Sequence, residues 1–159
     1  LKGRDAQILE NAGQYAEAID VYEDRYESRP QSFVVANNLA SLLIEHFPTP
    51  ENIERAYVAA KRLRSSEVPQ YQDTYGWALY LRGEPEQALR YLQPAAEKLP
   101  DIMLVQYHLG MAYAKSGVND RAIEALSKAV ELAGDDESPQ KAEALSTLEG
   151  LKQTATTSK

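Results

Sequence analysis

The residues best suited to acid–base or metal chemistry are the two histidines, His46 and His108, and neither has a ligand-type partner three or four residues on. No His-Glu-x-x-His, Gly-x-Ser-x-Gly or Gly-x-x-x-x-Gly-Lys-Ser/Thr pattern occurs, so the spacings that build a zinc hydrolase, a serine nucleophile or a phosphate cradle are missing. The eight glycines are spent largely on turns and close helix packing, which leaves no phosphate loop. Carboxylates are plentiful but read as solvated faces. With no cysteine there is no disulfide, thiolate nucleophile or thiolate-held metal, and either the cytosol or a bacterial envelope space fits that absence. The expectation is a non-catalytic chain with no cofactor and no metal. Its remaining chemistry is recognition: aromatic rings, amides and acids.

Length and charge bound what could be recognised. The 159 residues make one domain, or two very small ones. The chain is 43% hydrophobic and 26% charged, as globular proteins are. Its net charge of −7 argues against general nucleic-acid binding, which needs clustered Lys and Arg. Much of the excess lies late: between Gly117 and Gly150 eight acids face only Arg121, Lys128 and Lys141. Apolar runs are too short for membrane insertion, and no signal peptide is visible. Because the first residue is Leu1 rather than Met, a piece of a longer chain is expected, from which a leader could have been removed.

The elements that must position these residues repeat. Shifted by 34 residues, Gly76 falls on Gly110, Gly83 on Gly117, Ala88 on Ala122, Leu92 on Leu126 and Ala95 on Ala129. Within each period the pattern is a helix hairpin. Leu104, Tyr107, Gly110, Met111 and Ala114 form the stripe of one helix, and Ala122, Ile123, Leu126, Ala129 and Val130 that of the next. Gly117 ends the first helix, and Asn119 or Asp120 is expected to cap the second. The preceding period stops at Gly83 and starts again at Pro85, with Pro94 expected to bend its second helix or lengthen a hydrogen bond in it. Gly13, Ala18, Tyr22 and Pro30 match Gly83, Ala88, Leu92 and Pro100 in order and spacing. The helix-opening alanines Ala18, Ala56, Ala88 and Ala122 are separated by 38, 32 and 34 residues. The extra residues fall at His46–Pro50, where Thr49 is expected to cap a helix opened by Pro50. Ser138-Pro139 opens a last helix whose stripe is read as Ala142, Leu145, Leu148 and Leu151.

These landmarks resemble the tetratricopeptide repeat. In residues 103–136, Leu109-Gly110, Tyr113 and Ala122 fill the Leu-Gly, Tyr and Ala positions, and Leu126 takes the Phe position. Gln106 stands for the Trp and Gly134 for the Pro. Residues 69–102 match through Tyr75-Gly76, Leu79, Ala88, Leu92 and Pro100. The resemblance implies an all-α, right-handed superhelical solenoid of helix–turn–helix hairpins. The repeats are about 1–32, 33–68, 69–102 and 103–136, with a capping helix over 137–151 in a single domain 1–151 and a disordered tail 152–159. The phrases Asn37-Asn38-Leu39-Ala40, Asp73-Thr74-Tyr75-Gly76-Trp77 and Tyr107-His108-Leu109-Gly110 also resemble the closing repeats of large bacterial members of the family, some accompanying exosortase and polysaccharide-export systems. Bacterial cytoplasm and periplasm or envelope both stay open.

The resemblance further implies a function. First helices line the concave face of such a solenoid and bind a protein or peptide there. On that face lie Asn37, Asn38 and Ser41, then Asp73, Trp77 and Tyr80, then Tyr107, His108 and Met111. An aromatic floor with amides and acids above it suits an extended peptide. Asn38 matches a position where peptide-binding members commonly carry an asparagine. The set lacks the Lys and Arg of members that clamp a C-terminal carboxylate, so tail binding of that kind is not expected. A second reading stays open for the rings: Trp77, Tyr80 and Tyr107 can bridge adjacent repeats as core, and the chain can be a structural segment that self-associates through its solenoid ends.

Overall fold

The computed structural model describes the backbone of residues 2–157 and the side chains of residues 5–157. It is all-α, with no strand among the described residues. Nine α-helices follow in order there: α1 Lys2–Asn11, α2 Tyr15–Ser28, α3 Phe33–His46, α4 Pro50–Ala60, α5 Pro69–Leu81, α6 Pro85–Lys98, α7 Met103–Lys115, α8 Asn119–Ala133 and α9 Pro139–Thr157. A 3₁₀ turn over Lys61–Leu63 extends α4. The chain divides into two compact units, Leu1–Ser66 and Glu67–Lys159.

Each hairpin is closed by chemistry that its sequence specifies. Gly117 sits at φ +78, and the backbone N–H of Val118 donates to the Tyr113 carbonyl at 2.9 Å, a Schellman closure. Gly13 and Gly83 repeat it, with Gln14 N–H on Leu9 O and Glu84 N–H on Leu79 O. That closure decides where α8 starts. Val118 is the N-cap, without a side-chain cap, so the expected capping by Asn119 or Asp120 does not occur: both are already inside the helix. The α3–α4 hairpin lacks a glycine and uses the other device, Thr49 Oγ1 accepting from Asn52 N–H at 3.2 Å before Pro50. Ser138 does the same for α9, accepting from Lys141 N–H at 3.1 Å. Helix α6 runs through Pro94 as one element.

In the first unit α1 pairs with α2 and α3 with α4, and α2 lies against α3. Ala18, Leu43, Ala56 and Leu63 form its fully buried centre. In the second, α5 pairs with α6 and α7 with α8, and α6 lies against α7. There the helices nearly touch at glycine. A Cβ on Gly76 would lie 2.7 Å from Leu92 Cγ, and one on Gly110 2.6 Å from Leu126 Cγ. Helix α9 packs on both α7 and α8. This double seat rotates it from the expected stripe. Ala144 and Leu148 are buried, whereas Ala142 is exposed and Leu145 is 47% exposed. The helix also continues through Gln153, Thr154, Ala155 and Thr156, which the sequence reading assigns to the tail.

Candidate functional site

In the second unit, Asp73, Trp77 and Tyr80 stand at i, i+4 and i+7 on α5, one helical face. Tyr107, His108 and Met111 stand on the neighbouring α7, and the two helices pack together. The result is a ladder of rings. Trp77 is stacked between Tyr80, centroid distance 4.4 Å, and His108, 4.1 Å. The Tyr107 ring tilts against Trp77 at 5.5 Å. Polar groups hold the ladder at both ends. His108 Nδ1 lies 2.8 Å from Asp73 Oδ1, and Tyr107 Oη donates to Glu143 Oε2 of α9 at 2.6 Å. Thr147 of α9 contacts Met111 Sδ at 3.6 Å through its hydroxyl.

Burial sorts these residues. Trp77, Tyr107, His108 and Met111 are each less than 8% exposed and make the packing between successive first helices. Asp73 and Tyr80 are half-buried and form the accessible edge. Burial pushes the Tyr107 phenol up, and the bond to Glu143 and that residue's charge push it further. Tyr80 is raised by burial first and by the Glu143 charge second. Both phenols therefore stay neutral, one as a donor to α9. Glu143 and Thr147 escaped the sequence reading. Their signal is an offset of 36 residues from Tyr107 and Met111, which puts α9 in the place of a further first helix.

In the first unit the candidates join a different network. Asn37 Nδ2 donates to Asn38 Oδ1 at 3.3 Å, and Asn38 Nδ2 donates to Tyr22 Oη at 3.4 Å. Tyr22 Oη donates in turn to Glu10 Oε1 at 2.5 Å. Burial first, then the Glu10 bond and charge, push the Tyr22 phenol up to about 12. Asn37 Oδ1 is buried with no hydrogen-bond partner, and Ser41 is half-buried beside it on α3. His46 stacks on Tyr15 at 3.5 Å, and burial lowers its pKa. The two histidines thus lie in separate units, each against aromatic rings. Among the described residues no group of three or more His, Cys, Asp or Glu could hold a metal, and no helix is long and apolar enough to cross a membrane.

Known proteins share this fold. Residues 76–140 match the tetratricopeptide repeat family model. No curated protein matches the chain in sequence. Among solved structures, the thermophilic tetratricopeptide protein TTC0263 of Thermus thermophilus superposes with a TM-score of 0.65 at 24% identity, over 96% of this chain and 80% of that one. MamA of Desulfovibrio magneticus RS-1 gives 0.63 at 18% identity, over 97% and 94%. YrrB, described as a tetratricopeptide protein with an unusual peptide-binding site, gives 0.62 at 20% identity, over 82% and 66%. At these identities the likeness is one of fold. That fold is generally a non-catalytic scaffold for protein–protein interaction. The family match identifies residues 76–140 as tetratricopeptide repeats, and the all-α fold of the chain is the one that tetratricopeptide-repeat structures share.

Proposed function

We propose that the chain binds a peptide or partner protein on its first-helix faces. In the second unit, Asp73 and Tyr80 would make the contact over the floor of Trp77, Tyr107, His108 and Met111. In the first unit, Asn37, Asn38 and Ser41 would meet the partner's backbone. The observation that carries this reading is the Tyr80–Trp77–His108 stack, locked by Asp73 at one side. A rigid ring set with a half-exposed polar edge loses little entropy on binding, which is what a recognition surface needs.

Trp77 is the single tryptophan, so its emission reports on this face directly. Peptides selected from a random display library on the whole chain should shift Trp77 emission on titration. Tyr80→Ala and Asp73→Ala should weaken them by about 1–3 kcal/mol with helix content unchanged. Selected peptides that bind both variants as well as the parent would place recognition elsewhere. A second reading, self-association, draws support from Ile8 at 62% and Val34 at 57% exposure in the first unit. Light scattering separates the two, since self-association raises the mass with concentration in the absence of any peptide.

A further inference from the structure

We propose that the groove between the second helices α2 and α4 of the first unit docks a basic peptide segment anchored by one large apolar side chain. This proposal is independent of the first-helix faces. The groove encloses about 430 Å³, inside the range of about 300–1,000 Å³ typical of ligand sites. Leu39 and Leu43 of α3 form its floor, with Tyr26 on one wall and Val58 and Ala59 on the other. Val58 is 61% exposed, on a helix whose solvent face is otherwise polar. The rim is acidic: among the described residues Glu23, Glu27 and Glu54 line it, with Arg55 as the single cation. Arg55 is already engaged, ion-paired to Glu23 and donating to Asn52 Oδ1 at 2.9 Å. Arg62, outside the lining, is held over the Tyr26 ring at 5.0 Å and bonds its hydroxyl. An apolar floor under surplus carboxylate fits an apolar anchor flanked by Lys or Arg. A second copy of this chain is the poorer occupant, because at net −7 it brings acid to acid.

The second unit supplies an internal comparison. Its groove between α6 and α8 occupies the equivalent place, with about 300 Å³. There Gln93 stands where Glu23 does, Ala96 where Tyr26, Tyr113 where Leu43 and Glu124 where Val58. Tyr113 Oη accepts from Gln93 Nε2 at 2.9 Å, so polar groups bridge that groove from within. The backbone site is common to both units. The more apolar lining of the first unit comes from Tyr26, Leu43 and Val58, where the second unit has Ala96, Tyr113 and Glu124.

The test is a titration of the isotope-labelled whole chain, followed by amide chemical shifts, with two synthetic peptides. One carries Leu-Phe flanked by lysines, the other the same core flanked by glutamates. The lysine peptide should shift the amides of Tyr26, Leu43, Val58 and Ala59 saturably, and bind roughly tenfold or more tighter than the glutamate peptide. Val58→Lys, at an exposed position, should abolish those shifts with the helix content retained, whereas Tyr80→Ala should leave them intact. The proposal is overturned if neither peptide shifts these amides, if both do so equally, or if the response survives Val58→Lys. It is equally overturned if Val58→Lys dissolves a dimer while the lysine peptide does not compete with that dimer.

Discussion

Replacing Gly110 with alanine sets two effects of known sign against each other. Alanine in a helix interior is favoured over glycine by about 1 kcal/mol, so propensity alone predicts a more stable protein. Packing predicts the reverse. The new Cβ would lie 2.6 Å from both Cγ and Cδ2 of Leu126, and 3.1 Å from its backbone nitrogen. Relaxed carbon pairs stand about 3.5–4.0 Å apart, and Leu126 is fully buried with no room to retreat. Overpacking of this kind costs about 1–3 kcal/mol, and contact with helix backbone puts it in the upper part of that range. Gly110→Ala should therefore destabilise by about 1–2 kcal/mol net. Gly150 is the control: it lies inside α9 with nothing within 4 Å of its Cβ position. Gly150→Ala should stabilise by about 0.5–1 kcal/mol. Urea unfolding followed by far-UV circular dichroism and by Trp77 emission measures both. Hydrogen exchange on α7 and α8 localises the loss, since a repeat array need not unfold in one step. Leu126→Ala completes a double-mutant cycle. Alone it costs about 2–5 kcal/mol, but it vacates the space, and in its background Gly110→Ala should become neutral or stabilising. A coupling of about 1–3 kcal/mol is expected between the pair. Gly110→Ala that raises the urea midpoint as Gly150→Ala does, or additive behaviour of the double mutant, would refute the close-approach argument.

Three more expectations follow from single sites. Gly117→Ala forces a side chain into the left-handed region at φ +78 and should cost about 1–2 kcal/mol, seen as a lower urea midpoint. Tyr107→Phe removes the donor to Glu143 and should cost about 0.5–1.5 kcal/mol, with exchange protection falling first in α9. The raised Tyr22 phenol keeps its proton in the folded chain after the unfolded chain has lost it. Its stabilising effect is complete below pH 10 and drains away between pH 10 and about 12, so Tyr22→Phe should flatten the alkaline fall in stability over that window.

The hairpins were legible because their signals are local. Gly13, Gly83 and Gly117 each mark a left-handed stop, and Thr49-Pro50 and Ser138-Pro139 each mark a helix start. Gly76 and Gly110 announced a close helix contact through spacing alone. What spacing could not supply was the neighbour of each face. Trp77 looks the same in sequence whether its ring faces a partner or a histidine 31 residues on, and the structure stacks it on His108. The α9 stripe was ambiguous for a related reason. Ala142, Leu145, Leu148 and Leu151 compete with Ala144 and Leu148, and only packing on two helices at once selects the second set. The α8 cap falls on Val118 rather than Asn119 because the backbone closure at Gly117 and Val118 acts one residue earlier than side-chain capping signals suggest.

The claim that the first-helix face of the second unit is a recognition surface is tested most directly by amide chemical-shift mapping of the whole chain with a library-selected peptide. Perturbations should concentrate on Asp73, Trp77, Tyr80 and the facing turn of α7, and appear together with the Trp77 emission change. Perturbations confined to the second helices α6 and α8, with Trp77 emission unmoved, would contradict it.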